Sequence, residues 1–342
     1  MPTVPHGPTA GNDPISAPNL VIFAPNWLGD AVMALPAIGA VCRSGRHAAV
    51  SIAAAPSIMP LFTLVDGIDA VIDVRTDLRR RSFDAALLLP NSFHAALIAW
   101  RAGIPERWGY RTQGRGPMLT RAIGRGARSH QAAYYQGLIS ALDYPTGPLQ
   151  PEIRVSTEMS QAAGELLSSA GWDQRAPLVA FAPGAANGRA KQWPPESFAG
   201  LARELAQDGV VTVLIGTPSD TRAGAALIEA LGSRAAITII NLIGRTDLPA
   251  LAGVLTHCRA LICNDSGAMH FAAALGVSVT AMFGPSNEME TRPLGAARTV
   301  ILTHPVWCRP CMLRECPLDH ACMRGITVDS VLAAARASMG SQ

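Results

Sequence analysis

The sequence predicts an α/β protein built from two parallel-sheet domains in tandem. Three observations carry this prediction. At 342 residues the chain exceeds one ordinary core and suggests two of similar size. It is 49% hydrophobic but only 5% aromatic, which suits layers rich in Ala, Val, Leu and Ile. Short runs, apolar on both faces, alternate with helical stretches across Gly or Pro turns. Buried parallel strands joined by right-handed crossovers have this pattern.

Residues 1–18 are Pro, Gly, Thr and Asn with little apolar content and read as a loose tail, without the basic start and apolar core of an export signal. The first strand spans residues 20–24, followed by the loop Pro25-Asn26-Trp27-Leu28-Gly29-Asp30 and a helix to about Cys42. Further strands fit 48–54, 70–74 and 85–89, each short and apolar. Residues 104–128 are rich in Gly and Arg and read as loop with short helices, and a helix fits 131–142. Prolines and glycines in 143–150 mark the end of the first domain. A second series of strands fits 178–182, 210–215, 237–241, 260–264 and 278–283, with helices at 195–207, 221–231, 248–256 and 266–275 between them. Pro195 and Glu196 suit a first helical turn. Two such domains frame a cleft, and ligands of open parallel sheets bind beyond the carboxyl ends of the strands.

Charge is unevenly spread. Net charge is only +3, so there is no global basic field for nucleic acid. Between Asp73 and Arg128, however, eleven arginines face four acids, which suggests an anionic partner or surface. The chain has 27 arginines and one lysine, Lys191. That lysine ends the glycine-rich loop Pro183-Gly184-Ala185-Ala186-Asn187-Gly188-Arg189-Ala190-Lys191, between a strand and a helix, where α/β proteins bind phosphate. The spacing is not that of a P-loop, and no G-x-G-x-x-G follows the first strand, which argues against a nicotinamide cofactor.

Other strand-end residues have a functional reading and a plain one. Asp30 stands at a helix start, where a cap is the plain role. Asp265, Ser266, Gly267 and His270 close a buried strand and open a helix; the tip favours an anion, Asp265 suits sugar hydroxyls, and Ser266 could equally cap. Asn91 and Ser92 end a front-half strand and are polar contacts or turn residues. Asp220 either receives a ribose hydroxyl or starts the next helix. Cys308, Cys311, Cys316 and Cys322, spaced C-x2-C-x4-C-x5-C, are thiols or ligands of a structural metal, with His304 and His320 nearby. No run approaches the roughly 20 apolar residues of a membrane helix, so a soluble cytoplasmic protein is expected.

Several segments occur in one order from about residue 20 to 330. They are Asn26-Trp27-Leu28-Gly29-Asp30 with Leu35-Pro36-Ala37, Leu89-Pro90-Asn91-Ser92-Phe93, and Ala102-Gly103-Ile104-Pro105-Glu106-Arg107. The rear half adds Pro183-Gly184-Ala185 with Ala190-Lys191-Gln192-Trp193-Pro194, Asn241-Leu242-Ile243-Gly244, Asn264-Asp265-Ser266-Gly267 with Met269-His270, Phe283-Gly284-Pro285-Ser286 and the cysteines. With this set the chain resembles glycosyltransferase family 9, the ADP-heptose:lipopolysaccharide heptosyltransferases, the heptosyltransferase II branch being the nearer.

The resemblance implies a GT-B fold: two facing Rossmann-like domains, 19–150 for the acceptor and 151–326 for the nucleotide sugar, with a last helix in 327–342 crossing back to the first domain. It implies inverting transfer of heptose from ADP-L-glycero-D-manno-heptose to the heptosylated inner core of lipopolysaccharide at the membrane surface. Asp30 matches the family's base and Lys191 its diphosphate lysine. Asp265, Ser266, Gly267 and His270 match its donor-sugar contacts, with Gly184, Asn187 and Asp220 expected on the same donor side. Arg111 and Arg115 are expected to meet the anionic acceptor beside Asn91 and Ser92. No D-x-D motif is present, so no cofactor is expected for catalysis; a single chain and no nucleic acid are expected. One tension stands: a helix start stabilises Asp30 as an anion and weakens it as a base, whereas desolvation would strengthen it. A two-lobed sugar-binding protein, or a related transferase with another donor or acceptor, are the rival readings.

Overall fold

The computed structural model describes residues 17–186, 188–232 and 237–340; most of the expected tail, and Asn187, lie outside the described residues. The front half runs β1 (Asn19–Phe23), α1 (Leu28–Arg43), β2 (Ala49–Ala54), β3 (Ala70–Asp73), β4 (Ala85–Leu88), α2 (Phe93–Arg101), β5 (Glu106–Tyr110), β6 (Arg121–Ile123) and α3 (Gln131–Ser140). The rear half runs α4 (Thr157–Ser169), β7 (Leu178–Ala182), α5 (Pro195–Gln207), β8 (Val211–Leu214), α6 (Thr221–Leu231), β9 (Ile239–Asn241), α7 (Leu248–Thr256), β10 (Cys258–Asn264), α8 (Gly267–Ala274), β11 (Ser278–Phe283), α9 (Glu288–Thr291), β12 (Thr299–Thr303), α10 (Ala321–Arg324) and α11 (Val328–Met339).

Each half holds a six-stranded parallel sheet, in the orders β3-β2-β1-β4-β5-β6 and β12-β11-β10-β7-β8-β9. The central strands β1, β4, β7 and β10 are almost wholly buried, which is why they read as unbroken apolar runs. Strand order reverses between β1 and β4 and between β7 and β10. A crevice opens beyond the carboxyl ends at each reversal, and the segments after β1, β4, β7 and β10 supply Asp30, Asn91, Ser92, Lys191 and the turn from Asp265 to Gly267.

The halves touch directly. α1 buries residues on all sides, Ala31 through Val41, because it packs on α3 of its own half and on α8 of the other. α7 meets the 3-10 turn Met59–Leu64. His130 Nε2 lies 2.8 Å from the carbonyl of Arg292, and Arg128 pairs with Glu290 at 3.7 Å.

Three expectations are corrected. The stretch 104–128 carries two strands, β5 and β6. Glu106, Arg107 and Trp108 look unlike a buried strand because β5 lies near the edge of the sheet, and Arg107 spends its guanidinium on the carbonyls of Ile104, Pro105 and Met118. The last helix does not cross back. α11 packs on α5, β10, β11 and β12, with Val331, Leu332 and Ala335 in the rear core beside Phe181 and Phe198, and Arg336 paired with Asp208 at 2.8 Å.

Arg115, the third, does not face an acceptor. It is fully buried at 0% exposure. Nε donates to the Tyr110 carbonyl at 2.8 Å and Nη1 to the carbonyl of Pro90. The guanidinium thereby ties the loop after β5 to the loop after β4, work that a rigid fork does better than a side chain free to leave. Arg115→Ala should lower stability by about 2–4 kcal/mol in urea unfolding, since two buried carbonyls lose their donor, while ADP affinity measured at a folded temperature stays unchanged.

Candidate active site

The site begins with two glycines. A Cβ on Gly29 would lie 2.9 Å from His270 Cδ2, and one on Gly267 would lie 3.0 Å from Leu28 Cβ and 3.2 Å from Gly29 N. The first turn of α1 and the first turn of α8, from different halves, therefore meet tip to tip. Each tip presents unpaired backbone N–H groups and partial positive charge. Trp27 is the N-cap of α1 and makes no side-chain cap bond, so Asp30 sits inside the first turn and is not the cap. Ser266 is the N-cap of α8 and likewise makes no cap bond; its Oγ is buried without a hydrogen-bond partner.

Lys191 reaches this junction from the loop after β7. Its Nζ stands 2.6 Å from Asp265 Oδ2, with side-chain exposures of only 17% and 6%. The same oxygen accepts a hydrogen bond from Ser286 Oγ. Asn264 brackets the loop: its Nδ2 donates to the carbonyls of Pro183 and Gly184 at 2.8 and 3.3 Å, and its Oδ1 accepts from Trp193 N at 2.9 Å. Trp193 is anchored in turn by Nε1 donating to Ile326 O at 2.8 Å. Gly184 lies under the carboxylate of Asp220, where a Cβ would collide. Asp220 itself closes a capping box with Thr217, accepting from its N and Oγ1 at 2.8 Å. A cavity of about 280 Å³ adjoins it, walled by Ser219, Arg222, Gln192 and Trp193.

The irregular segment 304–320 backs this loop. Arg314 O accepts from Ala190 N at 3.0 Å, Met312 N donates to Pro285 O at 2.9 Å, and Arg309 Nε donates to Gly284 O at 2.7 Å. Gly188, at φ 110°, lies directly on the Arg314 carbonyl and admits no side chain. Cys308, Cys311, Cys316 and Cys322 in and after this segment form no disulfide. Among the described residues no three His, Cys, Asp or Glu side chains are arranged to hold a metal.

Burial dominates the electrostatics of the junction. It pushes the Asp30 carboxyl up; nearby Lys191 opposes this and Asp265 adds to it. Desolvation therefore wins over the nearby lysine, and Asp30 holds a proton more tightly than an exposed aspartate does. Burial also pushes His270 down to about 4, against the pull of Asp265, so its imidazole is neutral at neutral pH.

A larger cavity of about 610 Å³ opens beyond β1 and β4, with Asn26, Pro90, Ser92, His94, Ile98 and three arginines in its wall. The arginines are Arg75, Arg79 and Arg101; Arg75 forks onto Asp73 and Arg79 Nε donates to Arg101 O at 2.7 Å. Ser92 also caps α2, accepting from Ala95 N at 3.2 Å, and Asn91 Oδ1 accepts from Tyr134 OH at 2.9 Å. Arg111 is exposed and does not line this cavity. Sequence reasoning singled out neither these arginines nor the roles of Asn264 and Ser286. A polar Asn closing an all-apolar strand was the available signal for Asn264.

Because its proton is held more tightly folded than unfolded, Asp30 costs the native state stability once pH rises through the carboxylate range. Asp30→Asn should therefore raise the melting temperature at neutral pH. At a pH low enough to protonate the carboxyl in both states the gain should vanish. A lowered melting temperature at neutral pH would contradict burial as the dominant influence.

A carboxyl poised to take a proton and a lysine set beside a helix tip, brought together where the two parallel-sheet halves meet, suit transfer of a group from a diphosphate leaving group. The comparisons with known proteins agree. The sequence profile of "Glycosyltransferase family 9 (heptosyltransferase)" matches residues 71–322. The chain is 31% identical over 307 residues to the lipopolysaccharide heptosyltransferase 2 of Escherichia coli K12, covering 82% of this chain and 87% of that protein. It is 27% identical over 306 residues to the lipooligosaccharide heptosyltransferase 2 of Haemophilus influenzae, covering 83% and 88%. The solved structure of Escherichia coli ADP-heptose LPS heptosyltransferase II matches with a TM-score of 0.80 and 29% identity, over 94% of this chain and 98% of that one. In fold, in ordered motifs and in likeness to its relatives, the chain belongs to glycosyltransferase family 9.

Proposed function

We propose that this chain moves heptose from ADP-L-glycero-D-manno-heptose to the heptosylated inner core of lipopolysaccharide, inverting the anomeric carbon. The observation that carries the reading is the meeting of Asp30, from the front half, with Lys191 and Asp265, from the rear half, at two abutting helix tips. The relatives, heptosyltransferases 2 of lipopolysaccharide and lipooligosaccharide, supply the substrate class.

The acceptor hydroxyl oxygen forms a bond to the anomeric carbon as the bond from that carbon to the β-phosphate oxygen breaks. The electron pair leaves with ADP, and the hydroxyl proton passes to Asp30 Oδ. The raised proton affinity of Asp30 suits this transfer, because a base is most useful when its pKa approaches the working pH. Charge growing on the diphosphate is met by Lys191 and by the N–H groups opening α8. Lys191 needs little rearrangement to do so, since Asp265, which also accepts from Ser286 Oγ, already holds Nζ at the tip. Neutral His270 and the unpaired Ser266 Oγ supply hydrogen bonds for the donor sugar. Asp220 and the cavity beside it lie on the nucleotide side. The acceptor takes the cavity beyond β1 and β4, whose arginines match phosphate and carboxylate. All of these groups come from one chain, and none of the steps uses a cofactor.

Two substitutions separate the roles. Lys191→Ala should weaken ADP binding in calorimetry by about 1.5–3 kcal/mol, roughly ten- to 150-fold in Kd; unchanged affinity would remove the lysine from the phosphate site. Asp30→Ala should abolish turnover and keep ADP affinity, and near wild-type turnover would remove Asp30 as the base. The reaction itself is tested by offering ADP-heptose with core acceptors carrying no heptose, one or two. Product mass should show addition to the singly heptosylated acceptor. Addition only to the heptose-free acceptor, or from another nucleotide sugar, would overturn the assignment.

A further inference from the structure

The helix α2 is built inside out. Its fully buried positions carry only small residues, Ala95, Ala96 and Ala99, with Ile98 half-buried against the same core. Its other large apolar residues, Phe93, Leu97 and Trp100, follow the spacing i, i+4, i+7 and so share one face of the helix. That face is turned outward: Phe93 is 48% and Trp100 54% exposed, and Leu97 is half-buried. A helix placed only to close a core would present the opposite arrangement.

The surroundings of this stripe are cationic. His94 and Arg101 flank it on the side that walls the acceptor cavity, and both are exposed. The exposed arginines Arg79, Arg80 and Arg81 stand beside its carboxyl end, fixed there by the bond from Arg79 Nε to Arg101 O. The only acid in the adjoining turn, Asp77, accepts from Arg79 N and lies 3.9 Å from Arg80 Nε. Exposed aromatics framed by arginines are the chemistry of the water–bilayer boundary, where rings enter the headgroup layer and guanidinium groups meet anionic headgroups. No helix among the described residues is long and apolar enough to cross a membrane.

We infer that the outward face of α2, with Arg79, Arg80 and Arg81, docks the protein on an anionic phospholipid surface and so turns the acceptor cavity toward lipid-linked substrate. The last clause rests on the proposed reaction; the docking surface does not. Because α2 also forms one wall of the cavity, contact with the headgroup layer sets the cavity mouth at the depth where a lipid-anchored sugar chain emerges.

The test is sedimentation of the full chain with vesicles of phosphatidylglycerol and phosphatidylethanolamine, against vesicles of phosphatidylcholine alone. The wild type should partition onto the anionic vesicles and release at high salt. Phe93→Ser with Trp100→Ser, and separately Arg80→Glu with Arg81→Glu, should each lower the partition coefficient by about tenfold or more. Both pairs are exposed, and unchanged ADP affinity will show that the fold is intact. Transfer to an acceptor embedded in anionic vesicles should fall in both variants, whereas transfer to a deacylated, water-soluble acceptor should not. A wild type that ignores anionic vesicles would overturn the inference. Variants that bind as well as the wild type would also overturn it and leave the stripe to a protein partner. A chain that binds vesicles through these residues yet transfers to neither acceptor would sustain the surface and sink the proposed reaction.

Discussion

The contact between Gly29 and the start of α8 is the constraint on which the rest of this structure depends. Two helices springing from different sheets can meet tip to tip only if neither carries a side chain at the point of contact, and Gly29 and Gly267 meet that demand. Two partly positive helix ends are thereby forced together in a place with little water. Such an arrangement is unfavourable unless negative charge is supplied. The carboxyls of Asp30 and Asp265 stand there, the charge of Asp30 being opposed by its burial, and the diphosphate of a bound donor would supply the compensation.

Lys191 then decides how those two carboxylates differ. It is committed to Asp265, which also takes the hydroxyl of Ser286. Asp265 is therefore compensated by a cation and a donor within one small cluster. Asp30 feels Lys191 only as an opposing influence on a shift dominated by burial. Two acids of one type, at two similar helix tips, are pushed toward different work: one holds a cation in place, the other keeps an affinity for protons. The use of lysine here fits the geometry, because a compact ammonium can share Asp265 and turn toward phosphate, where a planar fork would be held by its own bidentate bonds.

Much of this could be read from the sequence because α/β architecture imposes strong local patterns. Buried strands such as β1, β7 and β10 are apolar on both faces, so they announced themselves, as did the glycine loop around Lys191 and the Asn-Asp-Ser-Gly turn after β10. What escaped were elements whose side chains are satisfied by distant partners. β5 was hidden because Arg107 is a strand residue that binds carbonyls on both sides of it. Arg115 has the composition of a surface ligand and the environment of a core residue, since its guanidinium replaces backbone bonds between two loops. The last helix carries an apolar stripe that would fit either half, and only the packing of Val331 and Ala335 beside Phe181 and Phe198 assigns it to the rear.

The sequence by itself determined the alternation of strands and helices, the loops at which chemistry could occur, and the identity of the acid and the lysine in those loops. These depend on neighbours in the chain: hydrophobic period, turn residues and helix starts are local properties. The tertiary structure decided which of the candidates share a solvent-poor space, and so which way the titration of Asp30 and His270 moves. It also turned the large face of α2 outward and the guanidinium of Arg115 inward. No local pattern encodes either choice, because both are set by what the rest of the chain places on the other side of the residue.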